Sequence, residues 1–112
     1  MRKALCIAAL VAFLLPAVAS AKTFKDVPVV DSNCSARVIN SPDTHTRACA
    51  LRCADSGFGI VTADHKFLKF DDAGNKEIVS QLKSSSKKDH LRVNVTGDVQ
   101  GDTLNVKSVT LL

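Results

Sequence analysis

The C-terminal fifth of the chain carries its clearest pattern. In HLRVNVTGDV, Leu91, Val93 and Val95 alternate with Arg92, Asn94 and Thr96, the period of a half-buried strand. A turn at Gln100-Gly101-Asp102 follows. TLNVKSVTLL then alternates again through Leu104 and Val106, and later through Val109 and Leu111. The phase changes between Val106 and Val109, which predicts a bulge near Lys107-Ser108. Upstream, FGIVTADHKFLKF predicts a hairpin, with strands at 59–62 and 66–70 joined by Ala63-Asp64-His65. DDAGN reads as a turn. KEIVSQLKSS places Ile78, Val79 and Leu82 on one helical face, and SSSKKD reads as a polar linker.

The pattern is weaker before residue 59. DVPVVDS predicts a strand over 27–31, demoted to an edge or a strand start by Pro28. SNCSARVINSPD is loop-like. A helix is expected from a cap at Ser41 or Asp43 through HTRACALRCADS, with Pro42 tolerated in its first turn and Gly57 as its stop. The expected order is strand, helix, strand, strand, helix, strand, strand. This is mainly β with two short helices, the element order of a five-stranded OB-like small barrel. The cysteine-bearing helix is an insertion between strands 1 and 2. An open α+β sheet is the alternative topology.

The first residues change the compartment. Arg2 and Lys3 precede an apolar run from Ala4 to Leu15, Pro16 breaks it, and Ala19-Ser20-Ala21 is a small-x-small site. Residues 1–21 are expected to be a secretory signal peptide, and residues 22–112 a single domain. The apolar run is short for a membrane span, and Cys6 leaves with the leader. Export predicts a periplasmic or extracellular protein, where disulfides persist. Without Arg2 and Lys3, 13 basic residues face 11 acidic ones, so the net charge of about +2 implies no acidic partner. No further apolar segment is long enough to span a membrane, and a monomer is expected.

Composition also narrows the chemistry. There is no Trp or Tyr, and past the leader only Phe24, Phe58, Phe67 and Phe70 are aromatic. Nucleic-acid binding is not expected, because single-strand platforms need exposed aromatics on a basic groove. His65 and His90 read as solvated surface residues. No Ser/His/Asp order, phosphate loop or HExxH motif is present, so no enzyme is expected.

What remains is Cys34, His45, Cys49 and Cys53. The last three are four apart, a spacing that predicts one face of a helix. Three thiols and an imidazole form a complete tetrahedral ligand set for Zn, with Cu(I) the softer choice. The expected function is an exported binding module in which Cys34, His45, Cys49 and Cys53 hold such a metal. His45 is the weakest ligand, because eight residues of helix rise about 12 Å. The alternative is a structural or interaction domain in which Cys34 bonds Cys49 or Cys53 and no metal is bound. A Cys49–Cys53 bridge would be strained within one helix. Redox work lacks the CxxC of thioredoxin-like motifs, and haem attachment lacks CxxCH.

DSNC, HTRACALRCADSGFGIV and VNVTGDVQGDTLNVKSV together resemble a group of small exported bacterial proteins. These carry a D-S-x-C…H-x3-C-x3-C pattern followed by a terminal V-x-V-x-G hairpin. The resemblance covers nearly all of residues 22–112. It implies export and an OB-like fold, and no activity. This chain departs from the pattern at Pro28 and in its longer SSSKKD linker.

Overall fold

A computed structural model describes residues 21–112; the expected signal peptide lies almost wholly outside the described residues. Five strands, β1 (Lys22–Asp31), β2 (Phe58–Val61), β3 (Phe67–Phe70), β4 (Arg92–Gln100) and β5 (Thr103–Leu111), close into a barrel in the order β1-β2-β3-β5-β4. All neighbours are antiparallel except β3 and β5. This is the strand order of a small OB barrel, and closure leaves no edge unpaired. Three helices, α1 (Ser35–Val38), α2 (Arg47–Arg52) and α3 (Asp72–Ser84), join them, with 3-10 turns at Pro42–Thr44 and Ala54–Ser56.

The C-terminal hairpin follows the alternation. Val93 and Val95 are buried, as are Val109, opposite Val95, and Leu104, opposite Val99. Thr96 pairs with Ser108 and Gly97 with Val106, so Lys107 is the extra residue of a bulge. The bulge restores Val109 to the core face after the phase change.

α3 closes one end of the barrel with Ile78 and Leu82, both fully buried. It starts earlier than its apolar pattern suggests, so DDAGN is its first turn and not a separate one. Asp71 caps it, accepting from Gly74 N at 3.0 Å and from Val106 N at 3.2 Å. Gly74 is required by packing: a Cβ there would lie 2.5 Å from Val106 Cγ2. Gln81 then clamps β5, donating to Val109 O at 2.8 Å and accepting from Leu111 N at 2.6 Å.

β1 is twice the expected length. Its first residues, KTFKD, are mostly exposed and give no apolar signal, yet they pair with β4 from Lys22↔Gly97 onward. A one-residue bulge lies between Phe24 and Val27, where Asp26 takes φ 51° and its N–H donates to Asn94 Oδ1 at 2.9 Å. Pro28 follows the bulge opposite Arg92, inside the strand and not at its start. Val29 faces the main core. Val30 packs outside it with Val38 and Val61, pinning α1 to the barrel wall.

The insertion between β1 and β2 departs most from expectation. A single helix through 45–53 does not form. His45 ends the Pro42–Thr44 turn in an extended conformation, with φ −71° and ψ 131°. Thr46, rather than Ser41 or Asp43, caps α2 by accepting from Cys49 N at 3.1 Å. α2 turns Ala50 and Leu51 toward the core, and Ala54 of the following 3-10 turn packs there as well. Gly57 ends the insertion at φ 82°, where a side chain would be strained. The SSSKKD segment is held by Arg47, whose Nε donates to Lys87 O at 3.0 Å.

Candidate metal centre

The barrel ladder builds the site. Asp31 is the last residue of β1 and pairs with Phe58, the first of β2. The insertion therefore leaves and re-enters the barrel at one place. Cys34, three residues after Asp31, must lie near Cys53, five before Phe58. Hydrogen bonds from the backbone and from the Ser56 hydroxyl fix the two arms together. Ser32 N donates to Gly57 O at 2.8 Å and Asn33 N to Ser56 Oγ at 3.1 Å, while Ser56 Oγ donates to Cys53 O at 2.8 Å.

Asp31 is the hub. It is 0 % exposed, and a carboxylate there is tolerated only if its oxygens are partnered. Oδ2 accepts from Cys34 N at 3.0 Å, which fixes the turn into α1. Oδ1 meets His45 Nε2 at 2.5 Å, and His45 is itself 4 % exposed. The extended backbone at His45 is what lets the ring reach Asp31.

Asp31, Cys34 and Cys53 offer ligand atoms within 4.8 Å of one another, and no other such group of three or more occurs among the described residues. Cys34 is buried, and Cys49 and Cys53 are half-buried. All three thiols are free; neither Cys34–Cys49 nor Cys34–Cys53 is bonded. The three cysteines line an open depression of about 290 Å³ with Asn33, Arg37 and Arg52. Arg37 Nη2 donates to Cys34 Sγ at 3.3 Å and Asn33 Nδ2 to Cys53 Sγ at 3.6 Å. Burial pushes the Cys34 thiol up, reinforced by the Asp31 carboxylate and opposed by Arg37.

The four sequence candidates thus fall into distinct places. Cys34 and Cys53 meet. Cys49 borders the same depression without joining the tight group. His45 lies against Asp31 and outside that group, because it is not on the α2 face that the four-residue spacing suggests. Asp31 is the residue that spacing alone does not single out. Its signal in the sequence is a lone carboxylate closing the apolar run VPVV, three residues before a cysteine. His65 and His90 are exposed, as expected.

No protein-family model matches the chain, and comparison with curated proteins and with solved structures yields no match.

Proposed function

We propose that the protein is an exported binding module whose cluster of Asp31, Cys34 and Cys53, joined by Cys49, takes one soft cation, Zn(II) or Cu(I). The observation that carries this is the convergence of a carboxylate oxygen and two sulfurs within 4.8 Å, on a fold whose ladder brings them together. Thiolates select soft cations, and Zn also accepts a carboxylate. His45 serves through Asp31: it orients the carboxylate, as groups behind a metal ligand do. Arg37 and Arg52 border the depression and offset the excess negative charge that several thiolates would leave around one ion. Export is supported by the charged start, apolar run and Ala19-Ser20-Ala21 site. β1 begins at Lys22, so a cut after Ala21 removes no strand residue. No helix of the described residues is long and apolar enough to cross a membrane.

The test is metal retention. Reduced protein exposed to Zn(II) or Cu(I) and freed of excess should keep about one equivalent. Cys34→Ser and Cys53→Ser should each weaken retention strongly, and His45→Ala should weaken it about 10- to 100-fold, as loss of a supporting partner does. Wild-type protein that keeps neither metal overturns the proposal.

A further inference from the structure

The sulfur cluster has a second chemistry that needs no ion. All three cysteines line the open depression, but Cys34 is only 8 % exposed, whereas Cys53 and Cys49 are half-buried. An external disulfide therefore reaches Cys53 or Cys49 more readily than Cys34. Of the two, Cys53 has its sulfur within 4.8 Å of Cys34 Sγ. A disulfide needs about 2.05 Å, so the two side chains must turn toward each other to close the remaining gap. Both residues sit at helix ends: Cys34 caps the start of α1, and Cys53 caps the end of α2 with φ −102° and ψ 20°. Neither lies inside a helix that would resist a small adjustment. The pair is 19 residues apart in sequence, so the barrel ladder supplies the proximity that a CxxC motif supplies by spacing.

We propose that the protein undergoes thiol–disulfide exchange with external disulfides, with Cys53 attacking first and Cys34 resolving. The Cys53 thiolate attacks one sulfur of the incoming disulfide. That S–S bond breaks, one half departs as a thiol carrying the proton Cys53 gave up, and Cys53 is left in a mixed disulfide. Cys34 sulfur then attacks Cys53 Sγ. The mixed bond breaks, and the second half departs as a thiol with the proton that Cys34 loses. The protein is oxidised by two electrons to a Cys34–Cys53 disulfide, and the external disulfide is reduced to two thiols. Cys49 stays free. The oxidised form has lost two of the sulfurs assigned to the cation, so exchange also empties that site. The inference rests on the same sulfur cluster as the proposed function, but not on a bound metal.

The experiment treats reduced, metal-free protein with oxidised glutathione, blocks remaining thiols by alkylation and maps the peptides by mass spectrometry. The expected product is a Cys34–Cys53 bond with Cys49 alkylated. Cys34→Ser should stop at a glutathione mixed disulfide on Cys53. A wild-type bond that includes Cys49, a wild-type mixed disulfide that never resolves, or no reaction where the urea-unfolded protein reacts would each overturn the proposal. The assay contains no metal, so failure of metal retention leaves its outcome intact. Protein that retains Zn(II) or Cu(I) yet forms no Cys34–Cys53 bond keeps the binding function and overturns the exchange.

Discussion

The β4–β5 hairpin and the insertion between β1 and β2 are held by opposite means. The hairpin is a continuous ladder with Val93, Val95, Leu104 and Val109 pressed into one core. The insertion has few large apolar anchors. Ala50 enters the main core and Val38 packs against Val30 and Val61; the rest is held by side chains that satisfy backbone groups. Asp31 fixes Cys34 and His45, Thr46 caps α2, Ser56 bridges the two arms, and Arg92 reaches Asp43. Area burial is non-directional and distributed, so the hairpin should lose stability in proportion to volume removed. Hydrogen-bonded hubs are directional, so the insertion should fail locally when one is removed. The candidate metal centre sits on the locally fragile side, at the point where that side joins the rigid one.

The largest expected effect is on the hairpin. Leu104→Ala leaves a cavity at a fully buried position and should cost about 2–5 kcal/mol. Urea unfolding should show this as one cooperative transition shifted to lower midpoint. A separate early transition of the insertion in this variant would break the comparison.

Asp31→Ala should come next, at about 1–3 kcal/mol, because it leaves the Cys34 N–H and the His45 ring without their buried partner. The decisive readout is where the loss falls. Amide hydrogen exchange should speed up in residues 32–57 while β4 and β5 keep their protection. Uniform loss across the barrel would show that the insertion and the hairpin are one cooperative unit.

The same contrast explains what was legible in the sequence. Alternation is a direct record of one buried face, so β4, β5 and even the bulge at Lys107 could be read from Val106 and Val109 alone. Ile78, Val79 and Leu82 announced α3, but its first turn did not show, because Asp71 and Gly74 act there through a cap and a close approach. The first half of β1 was silent because KTFKD is mostly exposed while it pairs. In the insertion, local spacing misled. His45, Cys49 and Cys53 have helical spacing, yet the long-range bond to Asp31 draws His45 out of the helix. The presence of a thiol cluster could be read from composition. Its membership could not, because Asp31 joins through the β1–β2 ladder and not through any local pattern.

A smaller effect probes how the insertion docks on β4. Arg92 donates from Nε to Asp43 Oδ1 at 3.0 Å and from Nη2 to Oδ2 at 2.8 Å, and from Nη1 to Asp26 O at 2.7 Å. It thus ties the Pro42–Thr44 turn to the β1 bulge. Arg92→Ala should cost about 1 kcal/mol near neutral pH, since the pair is partly solvated. Hydrogen bonds from Arg92 hold the Asp43 carboxyl below its usual range, against partial desolvation. A depressed carboxylate contributes its full stabilisation above its unfolded pKa, about 3.9, and loses it as pH falls through the lower folded value. The stability gap between wild type and Arg92→Ala should therefore be constant above about pH 5 and narrow steadily in acid. A gap that is unchanged down to about pH 2 would assign the cost to the bond with Asp26 O and to lost packing, not to Asp43.

The smallest expected effect isolates α2. Thr46 Oγ1 accepts from Cys49 N at 3.1 Å, and Thr46→Ala should cost about 1 kcal/mol, as loss of an N-cap does. Six residues make a helix too short to persist on propensity alone, so its first turn depends on this cap and on Ala50 in the core. Cys49 lies in that first turn, whereas Cys53 is additionally held through Ser56. Losing the cap should therefore loosen Cys49 more than Cys53. Alkylation of the reduced protein should accelerate at Cys49, with little change at Cys53 and almost none at buried Cys34. Equal acceleration at Cys49 and Cys53 would mean that the end of α2 is no better anchored than its start, and that the Ser56 bridge does not divide the insertion into a firm base and a looser tip.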